Sequence, residues 1–161
     1  MDIDRYERAW IYISAGTLFV LLMTLLYSVY FLGINLDAEA GVVDPATVTT
    51  QPPFDEPGVF ETAPGHYRVV MIARTWSFEP QEVRVPAGST VTFLVTSLDV
   101  IHGLRVPHTT INRMIIPGQA AQVTHRFDDP GEFALFCHEY CGIGHHRMDG
   151  RVIVEQAVAE E

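Results

Sequence analysis

The sequence contains no lysine. Its 10 basic residues are all arginine and stand against 20 acidic residues, which gives a formal net charge of −10 at pH 7. A protein that binds nucleic acid needs a basic surface to neutralise phosphates, so this composition argues against that class. An acidic, lysine-free surface suits a high-salt environment, where dense carboxylates keep a protein soluble, and it suits biased codon usage equally well.

Cysteine is almost as scarce. Cys137 and Cys141 are the only two, and they lie four positions apart. A disulfide that closed so short a loop would gain little from loop entropy, so we expect metal-ligand or redox chemistry instead. The remaining composition, 48% hydrophobic and 19% charged over 161 residues, is that of a globular chain with room for about one domain and an appendage.

One long segment has no charged residue. Residues 9–33 exceed the ~20 apolar residues that cross a bilayer as a helix, so we predict one membrane-spanning helix there. Arg5 and Arg8 precede it, and no basic residue follows until Arg68. The positive-inside rule then predicts a cytoplasmic N-terminus over residues 1–8, with the rest of the chain outside the plasma membrane. A cleaved signal peptide is the alternative, but its apolar core would be shorter.

The chain changes character twice after this helix. Residues 34–64 hold recurrent prolines among small and acidic residues, which predicts a linker, and an acidic tail occupies residues 157–161. Between them, residues 65–156 show short β-rich runs separated by turn signals, which predicts an all-β antiparallel sandwich or barrel. The predicted strands are Tyr67–Ala73, Glu82–Val85, Val91–Thr96, Gly103–Val106, Gln122–Phe127, Glu132–Phe136 and Arg151–Glu155.

The stretch from Cys137 to Met148 combines two thiols, imidazoles and a thioether directly after a predicted strand. Sulfur ligands together with imidazole favour copper, and one Cys, two His and a weak axial Met form a blue-copper centre. Such a centre needs a single Cys, whereas the second thiol here would allow two sulfurs to bridge two copper ions. A second imidazole must then come from elsewhere, and His102 lies in the loop where a cupredoxin sandwich would supply it.

Other uses of these residues fit the pattern less well. Zinc prefers four Cys or His ligands and has no need of a methionine at this spacing. A redox dithiol usually has Cys-x-x-Cys spacing in a βαβ setting, and neither is present. The remaining histidines are expected at the surface or in the core without a ligand role; they are His66, His108, His125, His138 and His146.

The ligand stretch resembles the CuA signature of cytochrome c oxidase subunit II, Cys-x-Glu-x-Cys-Gly-x-x-His-x-x-Met with an upstream Asp-Val-x-His. Every position of that pattern is filled, and the resemblance covers most of residues 65–155 and the helix but not the linker. It is nearest to the B-type branch of haem–copper oxidases, whose archaeal and thermophilic members have one transmembrane helix in this subunit. Supporting stretches are Ser97–Leu104, Thr110–Asn112, Ile116–Gly118 and Phe136–Met148.

By position, this resemblance implies a Greek-key cupredoxin domain that binds two copper ions. The implied ligands are His102, Cys137, the backbone carbonyl of Glu139, Cys141, His145 and Met148. The two thiolates would bridge both ions, each histidine would bind one, and the thioether and the carbonyl would be weak ligands. The chain would accept electrons from cytochrome c or a small blue-copper protein and pass them to haem in subunit I, which reduces oxygen, so no oxygen site is expected here.

Three acidic residues have two interpretations each. Asp99 either orients His102 or caps a turn. In A-type oxidases the residue that matches Glu139 binds magnesium at the interface with subunit I, whereas B-type relatives can carry a neutral amide there, so magnesium is an open expectation. Glu7 resembles a glutamate at the mouth of the proton-uptake channel of B-type oxidases, but an acidic residue also stabilises the N-terminal end of a helix.

Trp76 and Phe78 lie where this family has aromatic residues near the donor-docking surface, and core packing is the default for both. Rival functions are the CuA subunit of a nitric oxide reductase and a free-standing, membrane-anchored cupredoxin carrier with one copper. A quinol oxidase subunit would lack the intact ligand set. A copper-delivery protein with this cysteine spacing would need a thioredoxin-like fold.

Overall fold

The computed structural model describes residues 4–31 and 40–156, which belong to two compact units, Met1–Leu36 and Asp37–Glu161. Within the described residues, the first unit is a single helix and the second is a β domain. The predicted acidic tail lies outside the described residues. So do the end of the predicted membrane span and the start of the predicted linker.

The helix, α1, spans Arg5–Tyr30. Asp4 caps it, because the Asp4 carboxylate accepts a hydrogen bond from the Tyr6 amide at 3.1 Å. This cap explains why the helix begins earlier than the predicted residue 9. At 26 residues it is long and apolar enough to cross a membrane, and none of its side chains is buried. One N-terminal apolar helix is therefore present, as predicted.

Eleven strands form the described part of the β domain. They are β1 Gly41–Val42, β2 Gly58–Ala63, β3 His66–Arg74, β4 Ser77–Glu79, β5 Glu82–Pro86, β6 Ser89–Ser97, β7 His102–Arg105, β8 Asn112–Ile115, β9 Gln119–Phe127, β10 Gly131–Phe136 and β11 Asp149–Glu155. All seven predicted strands are present, each within a few residues of its predicted bounds. Strands β1, β2, β4 and β8 were not predicted.

The strands form two sheets, with the orders β1-β9-β6-β3-β2 and β5-β11-β10-β7-β8, and β4 pairs with β3. The all-β prediction is therefore confirmed, but the expectation of purely antiparallel pairing is wrong. Strand β3 pairs in parallel with β6, and β5 pairs in parallel with β11. The reason is that the chain crosses to the second sheet at β5 and returns to the first at β6, and such crossovers bring parallel strands together.

The predicted linker is wrong where the structure describes it. Residues 41–63 contain β1, a 3-10 turn at Val48–Thr50 and β2, and both strands pair with the first sheet. Val48 and Phe54 are buried in a second apolar cluster on that sheet. The prolines of this segment therefore separate short packed elements; they do not mark a solvated tether.

The main core contains side chains from both sheets. Val91, Phe93 and Val95 alternate along β6 and are buried, as the period of two in a strand requires. Cys137, Cys141 and Met148 belong to the same cluster. The predicted ligand loop is thus anchored in the core of the domain.

Candidate metal centre

Two loops bring the predicted ligands together. His102 is the first residue of β7, and Cys137 follows the last residue of β10. Cys141 and His145 lie in the connection from β10 to β11, which ends at Met148 and which we call the ligand loop, Cys137–Met148. The loop is closed at its base, because the Cys137 amide donates a hydrogen bond to the Met148 carbonyl at 3.1 Å.

The two thiols lie side by side, and each has its own imidazole. Cys137 Sγ and Cys141 Sγ are 3.8 Å apart. His102 Nδ1 is 4.0 Å from Cys137 Sγ, and His145 Nδ1 is 3.5 Å from Cys141 Sγ. Of the described residues, His102, Cys137 and Cys141 form a group whose ligand atoms all lie within 4.8 Å of one another. The fold therefore brings His102 next to the ligand loop, although the two are far apart in the sequence.

Each thiol also has one weaker donor beside it. The Glu139 carbonyl oxygen is 3.1 Å from Cys137 Sγ. Met148 Sδ is 3.6 Å from Cys141 Sγ. Each thiol thus has one imidazole and one weak donor beside it, so the arrangement has two similar halves.

The donor set fits copper by its chemistry and by its surroundings. Thiolate and thioether favour copper, and imidazole suits it as well. His102 is fully buried, and Cys137, Cys141 and Met148 are each at most 5% exposed. These four ligands are therefore held in a dry environment, where few water molecules compete with them for a metal, whereas His145 is partly exposed.

The pKa values of the two thiols are shifted in opposite directions from the ordinary cysteine value. Burial raises the pKa of Cys137, but hydrogen bonds from His102 and from the Gly103 amide outweigh it and lower the pKa to about 6. Burial raises the pKa of Cys141, and the neighbouring Cys137 thiolate raises it further, to about 11. Two thiolates this close repel each other, so without a metal the pair holds one negative charge near neutral pH.

Asp99 orients His102. Its Oδ1 lies 2.8 Å from His102 Nε2, which leaves Nδ1 directed at Cys137. Burial acts to raise the pKa of Asp99, but hydrogen bonds from His102 and the amides of Thr75 and Val100 lower it to about 2. The pKa of His102 is raised despite its burial, because the imidazole contacts both Cys137 and Asp99. The carboxylate also accepts the Val100 amide, so both roles considered for Asp99, orienting and turn-capping, are present.

Three of the other histidines contact groups outside the ligand set. The His138 ring packs against Gly103, and His125 Nδ1 lies 3.0 Å from the Thr110 hydroxyl. His66 Nδ1 is 3.1 Å from the Pro64 carbonyl. His108 lies in a turn with a positive φ of 62°.

The two aromatic residues differ. Phe78 is buried in the main core, as the default expectation had it, whereas Trp76 is 43% exposed. The Trp76 indole N–H donates a hydrogen bond to the Cys141 carbonyl at 3.1 Å. This contact was missed at the level of sequence, since the two residues are 65 positions apart and no local pattern connects them.

Comparisons with known proteins agree with this geometry. Residues 63–158 match the family model for cytochrome c oxidase subunit II, periplasmic domain. The chain is 35% identical over 155 residues to cytochrome c oxidase subunit 2 of Thermus thermophilus, which covers 94% of this chain and 92% of that protein.

Two solved structures are also similar. A chain of a heme-copper terminal oxidase dimer has a TM-score of 0.67 and 31% identity, and the match covers 94% of this chain and 100% of that one. The periplasmic domain of subunit II of cytochrome oxidase from Bradyrhizobium japonicum has a TM-score of 0.52 and 21% identity over 56% of this chain and 84% of that one. The second likeness concerns the fold, which is a cupredoxin-like sandwich, as predicted.

Proposed function

The chain belongs to the cytochrome c oxidase subunit II family, and from that premise we propose that its buried thiols and imidazoles form a binuclear copper centre. The chain is the electron-accepting subunit of a haem–copper terminal oxidase, an oxidoreductase complex. The proposed ligands are His102, Cys137, the carbonyl of Glu139, Cys141, His145 and Met148.

The observation that supports two ions best is the pairing of donors around two adjacent sulfurs. Cys137 and Cys141 lie 3.8 Å apart, and each has its own imidazole at 3.5–4.0 Å and its own weak donor. A blue-copper centre uses a single thiolate and would leave the other sulfur without a role. The rival of a free-standing carrier with one copper is therefore less well supported.

When bound, the two copper ions, held by Cys137 and Cys141 with their neighbouring imidazoles, would supply a one-electron carrier. The chain's own residues provide the conditions for it. The buried thiols bind the copper ions. Asp99 fixes the tautomer and the direction of the His102 ring, and the core around Met148 excludes water. Held in this way, the ligands have little freedom to rearrange.

The copper content of the purified complex tests the proposed ligands. We expect two copper ions per chain in this subunit for the wild type, and a loss of the binuclear spectrum in both Cys137→Ser and Cys141→Ser. Thr92→Val, which changes a hydroxyl on a sheet face, is the matched control. A centre that keeps its spectrum in either serine variant would contradict the bridging role.

We propose that the electron donor docks on the exposed apolar side chains of the ligand-bearing loops. Tyr140 and Ile143 of the ligand loop are 75% and 86% exposed, and Val100 and Ile101, just before His102, are also exposed. The donor is a c-type cytochrome or a small blue-copper protein. The acidic surface would favour a basic donor face at low salt, while at high salt the apolar contact would remain.

Glu139 is proposed to bind magnesium through its side chain at the interface with subunit I. Carboxylate oxygens are the ligands that this cation prefers, and the side chain is half-buried beside the copper ligands. Metal analysis of the purified complex should then show about one magnesium or manganese per complex, lost in Glu139→Gln with the copper retained. Absence of both metals from the wild-type complex would overturn the assignment.

We propose that α1 anchors the chain in the plasma membrane and packs on subunit I, with the N-terminus cytoplasmic. Glu7 lies in the first turn of α1 and is assigned to proton uptake. Glu7→Gln should slow oxygen turnover and change its pH dependence. Asp4→Asn is the control, since it removes the same charge at the same helix end and keeps the cap. Equal turnover in both variants and the wild type would leave Glu7 a helix-dipole residue only.

The B-type branch is proposed from the single apolar helix among the described residues and from the stretch Ser97–Leu104. A nitric oxide reductase would carry a similar subunit. Similarity to a cytochrome c oxidase subunit over nearly the whole chain favours oxygen as the terminal substrate. Gas-consumption measurements on the purified complex distinguish the two, since an oxidase must take up oxygen with cytochrome c or a copper protein as reductant.

A further inference from the structure

We propose that the turn between β3 and β4, residues Thr75 and Trp76, positions the ligands of the metal centre. We call this turn the brace, and its two hydrogen-bonded contacts with the ligand-bearing loops its arms. Thr75 acts on the His102 loop through Asp99, and Trp76 acts on the ligand loop through the backbone of Cys141. The inference rests on the proposed copper centre. It adds two positioning residues that bind no metal themselves.

The first arm runs through a carboxylate. Asp99 Oδ2 accepts hydrogen bonds from both the Thr75 amide, at 2.7 Å, and the Thr75 hydroxyl, at 2.8 Å. The other oxygen of Asp99 holds His102 Nε2 at 2.8 Å. One turn residue therefore fixes the carboxylate, and the carboxylate fixes the imidazole ring.

The second arm is an indole that lies on the ligand loop. Trp76 Nε1 donates to the Cys141 carbonyl at 3.1 Å. The face of the ring packs on Gly144, where a Cβ would lie 2.3 Å from the indole, so only glycine leaves room for it. Gly142 has a φ of +113°, which also favours glycine and lets the loop turn beneath the ring.

The turn that carries both arms is itself held in place by the strands around it. Strands β3 and β4 pair up to Arg74 and Ser77, and Arg74 also forms an ion pair with Glu79 at 2.8 Å. The Leu98 amide donates to the Ala73 carbonyl at 3.1 Å, which ties the end of β6 to the same place. The two ligand-bearing loops thus share one support, and its geometry sets their relative position.

Variants of the purified oxidase complex test the brace. Thr75→Val removes the hydroxyl donor to Asp99, and Thr75→Ser keeps it. Trp76→Phe keeps an aromatic ring over Gly144 and removes the N–H. Controls are Thr92→Val, whose hydroxyl lies against the Thr124 hydroxyl on a sheet face, and Phe60→Leu, another part-exposed aromatic position. The measurements are the rate of copper loss to a chelator and the nitrogen hyperfine couplings of the copper-bound imidazoles.

We expect Thr75→Val and Trp76→Phe each to lose copper about threefold to tenfold faster, the factor that corresponds to one hydrogen bond. Thr75→Val should shift one imidazole coupling, that of His102, and Thr75→Ser should restore it. Rates and couplings in both variants equal to those of the controls, with copper still loaded, would overturn the brace and leave the copper centre standing.

A wild-type complex in which this subunit holds no copper would overturn the proposed centre and the brace with it. If Trp76→Phe fails to assemble, the comparison of Thr75→Val with Thr75→Ser decides the question alone. The valine and serine side chains are both small and the position is exposed, so neither substitution disturbs the core.

Discussion

Asp99 is the carboxylate that lies against the His102 ring. It accepts hydrogen bonds from the Thr75 and Val100 amides and holds the His102 ring, and these partners lower its pKa to about 2 from an ordinary value of 3.8. The charged form is therefore favoured in the folded protein. Because a depressed folded pKa stabilises above the unfolded value, this contribution is fully present above about pH 4 and is lost as the pH falls towards 2.

Asp99→Asn should flatten the pH dependence of stability of the copper-free protein between about pH 4 and pH 2. The wild type should lose more stability over this interval than the variant does, since only the wild type must protonate Asp99. Thermal unfolding at a series of pH values measures the difference. Asp128→Asn, at an exposed carboxylate with an exposed arginine partner, is the control. Parallel curves for wild type and Asp99→Asn would contradict the assigned pKa.

The thiol pair should titrate in two well-separated steps in the copper-free, reduced protein. Thiolate absorbance should show one step near pH 6 and another near pH 11. His102→Ala should raise the lower step, because it removes a hydrogen bond that favours the Cys137 thiolate. His125→Ala, at a histidine bonded to Thr110, should leave both steps unchanged. Two coincident steps near the ordinary cysteine value would contradict the electrostatics of the pair.

At the scale of elements, the segment before β3 is part of the domain. Val48 and Phe54 are buried against Val70, Ile72 and Ala120 on the outer side of the first sheet, and β2 extends that sheet. The sequence suggested a tether because its prolines interrupt any period. Short packed elements without periodicity give the same signal as a linker, and only tertiary contacts distinguish the two.

A soluble fragment of residues 65–161 should therefore be less stable than one of residues 40–161. The loss should be several kcal/mol, since burying each large apolar side chain stabilises by about 1.5–3 kcal/mol. Denaturant unfolding of the two fragments measures it. Phe54→Ala in the longer fragment should reproduce part of the effect. Equal stabilities would mean that the segment is an independent tether after all.

At the scale of the whole molecule, the sequence was most informative where its patterns are local. Alternation in β6 and the turn signals around β10 predicted strands, and the spacing of Cys137, Cys141, His145 and Met148 predicted the ligand loop. The parallel strand pairs and the contact of Trp76 with Cys141 were not predictable, because they join residues far apart in the chain. His102 was predicted from its place in the loop after a predicted strand, where a cupredoxin sandwich would supply an imidazole, and then from the resemblance to a known motif.

Donor docking is also a property of the whole surface. Ile143→Asn should raise the KM for the donor several-fold at high salt and leave kcat nearly unchanged, because it removes an exposed apolar contact and no copper ligand. Val42→Asn is the matched control, since Val42 is 88% exposed on β1. Steady-state oxygen uptake with varied donor concentration gives both constants. A fall in kcat at constant KM would place the effect in the centre, not in docking.

We propose above that one chain holds two copper ions bridged by Cys137 and Cys141. The most direct test is the electron paramagnetic resonance spectrum of the copper-loaded fragment 40–161, with the copper-to-protein ratio measured on the same sample. We expect two coppers per chain and a multi-line mixed-valence spectrum that disappears in Cys137→Ser. A four-line spectrum from one copper per chain, or a spectrum unchanged by that substitution, would contradict it.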